Sequence, residues 1–174
     1  MVTRTPNPPR ALAAAAFALA LLAAPAGAQL APGQPFPSLA AEGLNGQVPE
    51  LGGKIAVVDF WASWCAPCKS SFPMYSRLQR DFAGEGLVVV GVGVDDTPQA
   101  FTVFVARLKP GFVTLHDSKH ALVALVQVPT MPTSYVVDRT GKVRFIHAGF
   151  HGEDTERELR REVQALLAEG RKTQ

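Results

Sequence analysis

The sequence predicts an α/β domain built on a mixed sheet with helices on its flanks. A buried-strand signature, Ile55 to Phe60, runs into a C-x-x-C turn and then a helical pattern reaching about Phe82. A continuous apolar run, Leu87 to Val94, suits a strand buried on both faces, as parallel strands are. The patterns follow in the order β-α-β, an α/β unit, then β-β-α, which gives parallel and antiparallel neighbours in one sheet.

Residues 29–37 include LAPGQPFP, a Pro/Gly-rich lead-in without helix character, and the folded domain is read as 38–170. Leu39 to Val48 carries Gly43 and Asn45-Gly46, a hairpin signal. After Gly52-Gly53 comes the strand IAVVDF. The next helix places Phe72, Tyr75, Leu78 and Phe82 on one side, a core-facing stripe, and Pro73 should kink it. Gly91 and Gly93 interrupt the second strand and suit close packing there. Thr97-Pro98 reads as N-cap and first helical residue, with Phe101, Phe104, Val105 and Leu108 following at helical spacing. Lys109-Pro110-Gly111 ends that helix. Phe112 to Leu115 is a short strand and Ser118 to Val126 a helix. The strand Ser134 to Asp138, the turn Asp138-Arg139-Thr140-Gly141 and the strand Val143 to Ala148 form a hairpin. Thr155 to Glu169 is the last helix, with Leu159, Val163, Leu166 and Leu167 facing the sheet.

Cys65 and Cys68 are the only two cysteines. The thiolate is the nucleophile, so a useful thiol must lose its proton. Cys65 falls at the start of a helix, where unpaired N–H groups and the helix dipole stabilise negative charge. Its pKa is expected to be moderately lowered. Cys68 lies almost one turn on, so the pair can close a small disulfide and reopen it by exchange. A bridge over so few residues stabilises little, which favours a redox role. Asp59 interrupts the apolar strand before them. A buried carboxylate resists ionising, and Asp59 so placed would exchange a proton with Cys68 near neutral pH. Trp64 beside Cys65 reads as a rim residue, Trp61 as core, and Lys69 as solvated.

Apolar residues make up 47% of the 174-residue chain and charged residues 18%, which excludes a disordered chain. Without Arg4 and Arg10 the balance is 15 basic to 15 acidic residues, which offers nothing to nucleic acid. Residues 1–28 read as a signal peptide: Arg4 and Arg10, an apolar run from Ala11 to Ala24, and Ala26-Gly27-Ala28 before Gln29. An uncleaved anchor is the alternative. Export to the bacterial periplasm is expected, where disulfides form.

VVDFWASWCAPCK resembles the active-site stretch of thioredoxins in the acid before Phe-Trp, the Trp next to the first Cys, and the Lys after the second. The resemblance extends over nearly all of the chain after residue 32, with Pro73 matching the helix-kinking proline. Within that superfamily the chain is most similar to the secreted TlpA/ResA-like thiol–disulfide proteins. The signal segment and the unit Pro98–Val126, which resembles that branch's central α/β insertion, carry this choice. The resemblance implies a thioredoxin-like fold and a thiol–disulfide oxidoreductase in which Cys65 attacks and Cys68, helped by Asp59, resolves. It implies that Pro132 is the cis-proline and that the peptide edge of Met131 docks an extended substrate by strand-like hydrogen bonds. Trp64 would border that site. Substrates would be disulfides of exported proteins, for example during cytochrome c maturation, with electrons from a membrane thiol donor. No nicotinamide or flavin motif is present, and a monomer without cofactor is expected. Family members often carry a polar residue in the second strand; here only valine and glycine precede Asp95. A periplasmic disulfide donor and a Cu(I) metallochaperone using the same thiolates remain alternatives. A peroxidase is disfavoured, because no T-x-x-C pattern precedes Cys65.

Overall fold

Every residue of Ile55–Trp61 is buried, and this segment forms β1, the central strand. The structure, a computed structural model, describes residues 29–40 and 43–171. The signal-peptide reading therefore lies outside the described residues. The sheet has five strands in the order β3-β2-β1-β4-β5, with β2 at Leu87–Gly93, β3 at Val113–His116, β4 at Thr133–Val137 and β5 at Val143–Ala148. β1, β2 and β3 are parallel, while β4 runs antiparallel to both β1 and β5. The sheet is thus mixed, with four helices between and after its strands: α1 at Ala66–Phe82, α2 at Pro98–Leu108, α3 at Ala121–Val126 and α4 at Glu153–Arg171.

The local sequence accounts for most boundaries. Thr97 caps α2 by accepting the Ala100 N–H at 3.2 Å, and Lys109 closes the helix in the left-handed region at φ 46°. Pro73 is accommodated inside α1, which continues through it to Phe82. Leu159, Val163, Leu166 and Leu167 on α4 are all buried. The Asp138 carboxylate ties the β4–β5 turn by accepting from Thr140 N, Thr140 Oγ1 and Lys142 N. Arg77–Glu156 and Arg160–Asp81 ion pairs join α1 to α4, so both helices cover one face of the sheet.

Two expectations need correction. Leu39 to Val48 forms no hairpin among the described residues; Asn45 instead bridges across to His116 at the end of edge strand β3. The turn dipeptide Asn45-Gly46 serves a contact distant in sequence, a choice that local turn chemistry does not specify. The helix expected from Ser118 begins only at Ala121. The buried Asp117 carboxylate accepts the Ala121 and Val123 N–H groups at 2.9 and 2.8 Å, so 118–120 turn before the helix rather than belonging to it.

The glycines of β2 are required by aromatic packing. Trp61 stacks on Phe101 and Phe104, with ring centroids 5.4 and 5.0 Å away, and meets Phe72 edge-on. A Cβ on Gly93 would stand 2.6 Å from the Phe101 ring and 2.9 Å from Trp61. A Cβ on Gly91 would stand 2.9 Å from Phe112. Gly93→Ala should therefore cost about 1–3 kcal/mol by overpacking. Urea denaturation checks this, with Gly84→Ala as control, since nothing lies within 4 Å of a Cβ there. The control should stay within about 0.5 kcal/mol of the parent.

Candidate active site

The chain leaves β1 at Trp61, turns through Ala62-Ser63-Trp64 and enters α1. Cys65 is the N-cap of that helix, with extended backbone at φ −83° and ψ 105°. Its sulfur accepts the Cys68 N–H at 3.2 Å, and its own N–H donates to Ala62 O at 3.1 Å. Pro67 occupies the first turn, where a missing N–H leaves no bond unmade. No acidic residue lies in that turn to oppose a thiolate.

Cys65 and Cys68 are joined in a disulfide with Cα atoms 5.3 Å apart. Cys68 is completely buried, Cys65 is 5% exposed, and Trp64 beside it is 71% exposed. Of the pair, Cys65 alone keeps any exposure, which suits an attacking thiol nearer the surface and a resolving thiol beneath it. Asp95, buried at the end of β2, reaches back to this turn. Its carboxylate accepts Ser63 N at 3.0 Å and Ser63 Oγ at 2.6 Å, which anchors the segment carrying Trp64 and Cys65.

Asp59 is fully buried in β1. Tyr75 Oη donates to its Oδ1 at 2.9 Å, whereas Oδ2 makes no hydrogen bond among the described residues. Burial holds the Asp59 carboxyl well above the usual carboxylate range, and the Tyr75 bond offsets only part of that. Tyr75 is pushed up as well, by burial first and then by the charge of Asp59. Cys68 and Tyr75 both lie on the buried face of α1, two helical turns apart, and Asp59 lies beneath that face.

Thr133 pairs with Phe60, which places Pro132 beside the end of β1 from which the cysteine turn departs. The Met131–Pro132 bond is cis, Pro132 is buried and Met131 half-buried. The loop is held by Gly149 N donating to Pro132 O at 2.7 Å and Thr133 Oγ1 donating to Thr130 O at 2.8 Å. The architecture thus gathers Cys65, Cys68, Trp64 and the Met131–Pro132 loop at one end of the sheet, with Asp59 below.

Tyr75 was legible in the sequence only as a member of the apolar stripe, and the bond from Ser63 to Asp95, which joins segments 32 positions apart, was not legible at all. Among the described residues, no group of three His, Cys, Asp or Glu side chains is placed to hold a metal. His116 and His120 each direct Nε2 to a backbone carbonyl, of Asp95 and Val94.

The AhpC/TSA family profile matches residues 32–146. The thiol–disulfide oxidoreductase ResA of Oceanobacillus iheyensis is 30% identical over 103 residues, 59% of this chain and 54% of that protein. The chain therefore spans about half the length of that relative. The thioredoxin-like protein YneN of Bacillus subtilis is 31% identical over 123 residues, covering 67% of this chain and 71% of its own. The crystal structure of a DsbE thiol:disulfide interchange protein from Chlorobium tepidum superimposes with a TM-score of 0.65 at 36% identity. That likeness covers 67% of this chain and 82% of the other.

Proposed function

The chain belongs to the AhpC/TSA family, and from that membership we propose that it is a thiol–disulfide oxidoreductase that reduces disulfides of exported proteins. One observation carries the reading: a nearly buried Cys65, beside the exposed Trp64, closed onto a fully buried Cys68 at a helix N-terminus, above a buried carboxyl group. The likeness to ResA and DsbE supports it.

In the reduced protein, the helix N-terminus stabilises the Cys65 thiolate. That thiolate attacks a substrate disulfide, forms a mixed disulfide and expels one substrate thiolate, which takes up a proton. Cys68 then gives its proton to the Asp59 carboxylate, which burial makes a stronger base than it is in water. The Cys68 thiolate attacks Cys65 Sγ; the Cys65–Cys68 bond forms, the bond to substrate breaks, and the second substrate thiolate leaves. Trp64 and the peptide edge of Met131 before Pro132 dock the substrate chain. Two electrons must then return from a thiol donor, and a membrane-bound one fits an exported protein. The amino-terminal segment supports export to the periplasm, with cytochrome c maturation as a setting that supplies such substrates.

Cys68→Ser should halt the reaction at the mixed disulfide. Expressed in the parent cell, this variant is expected to carry exported proteins linked through Cys65, released by dithiothreitol and seen by non-reducing electrophoresis and mass spectrometry. A variant that captures nothing contradicts the reading.

A further inference from the structure

Asp59 is sealed from solvent, yet a base that takes a proton from Cys68 must hand that proton on before the next cycle. Burial leaves it no direct contact with water. The strand register supplies a path. Asp59 on β1 is the direct partner of Ser134 on β4, and Ser134 is the direct partner of His147 on β5. Directly opposed antiparallel residues point to the same face, so the three side chains form one row under α1 and α4.

The row is polar along its length. Ser134 is 2% exposed, and its hydroxyl, like Asp59 Oδ2, makes no hydrogen bond of ordinary geometry among the described residues. Two orphaned buried oxygens on neighbouring residues call for an explanation. Cβ atoms of such partners are about 4.5–5.5 Å apart, a gap that one water spans. The Ser134 hydroxyl also lies close to Tyr75 Oη, where its hydrogen-bonding contact opposes the rise of the Tyr75 pKa, so Ser134 sits between Tyr75 and Asp59. On the other neighbouring strand, Asp59 pairs with Gly91, which offers no side chain.

The outer end of the row reaches solvent. His147 Nε2 lies 2.7 Å from Glu162 Oε2 and Nδ1 3.6 Å from Glu158 Oε2, both on α4. The His147 side chain is 12% exposed and that of Glu158 is 52% exposed. Tyr75 from α1 is the titratable group facing Asp59, and Glu158 and Glu162 are those facing His147.

We propose that Ser134 and the His147–Glu162 pair carry protons between Asp59 and solvent along this cross-strand row. A hydroxyl both donates and accepts, and an imidazole can donate from one ring nitrogen while accepting at the other. After Asp59 has taken the Cys68 proton, Asp59 donates it toward Ser134 while Ser134 passes its own to the His147–Glu162 pair. Asp59 returns to the carboxylate, and the proton leaves at Glu158. Ser134 and His147 are positioning residues acting through Asp59, and the inference rests on the oxidoreductase reading.

The test is single-turnover release of a fluorescent cysteine peptide from its mixed disulfide with Cys65, followed by stopped flow from pH 5 to 9. Ser134→Ala and His147→Gln should each slow release about tenfold near neutral pH. Attack by Cys65 on the peptide disulfide should be unchanged. Ser134→Thr, which keeps the hydroxyl, should restore release, and added imidazole should speed Ser134→Ala more than the parent. Release rates and pH profiles of Ser134→Ala and His147→Gln that superimpose on the parent overturn the relay and leave the oxidoreductase reading standing. A parent that releases no peptide overturns that reading and the relay with it.

Discussion

Cys65→Ser is expected to lower disulfide reduction by at least about 1,000-fold, to the rate of the buffer thiol alone. A serine hydroxyl is a far weaker nucleophile near neutral pH and forms no disulfide, so neither the first attack nor the mixed disulfide remains. Cys65 is the cysteine that keeps some exposure, with the exposed Trp64 beside it. Cys68→Ser should differ in kind: the buried position is not needed for the first attack, so one equivalent of substrate thiol is still released before the reaction stops. Insulin reduction with dithiothreitol as electron source measures the steady state, and a quenched burst separates the two variants. Equal bursts from both variants would contradict the assignment of roles.

Asp59→Asn should slow resolution by Cys68 about 100-fold at neutral pH, the lower range for loss of a positioned acid–base group. The same change should stabilise the fold. Because burial raises the Asp59 pKa in the folded state, the folded protein binds this proton more tightly than the unfolded chain. Below the unfolded value of about 3.9 both states are protonated and no difference arises. As pH rises from there through the folded pKa, the unfolded state ionises first and stability falls, by about 1.4 kcal/mol per pH unit within the window. Asp59→Asn removes that slope while keeping an acceptor for Tyr75 Oη. The oxidised variant should be more stable than the parent at pH 7, and the two should converge near pH 4. Denaturant titrations at both pH values check the sign, and a variant less stable than the parent at pH 7 would contradict it.

The strands and helices were legible where the hydrophobic period is unambiguous. The α4 stripe needed no tertiary information, because its apolar residues have one face to bury, and Ile55–Phe60 was legible as a short apolar run of strand length bounded by turn residues. Asn45-Gly46 misled because its dipeptide favours a tight turn anywhere, while its hydrogen bonds go to an edge strand 71 positions away. The start of α3 misled because a single carboxylate, Asp117, caps it from outside the periodic pattern. The cysteines and Asp59 stood out as chemical exceptions in apolar or turn surroundings. Tyr75 and Ser134 did not, because an amphipathic stripe admits Tyr as core and a strand admits Ser without comment. Their relation to Asp59 comes from helix docking and strand register, which single-sequence patterns do not encode.

The reduction potential of the Cys65–Cys68 pair, equilibrated in dithiothreitol and glutathione buffers, tests the central claim most directly. A reductase of exported disulfides should titrate reversibly near or below the potential of thioredoxin, roughly −270 mV. A value near that of the strong oxidants, roughly −120 mV, would make the protein a disulfide donor and contradict the direction of electron flow argued above.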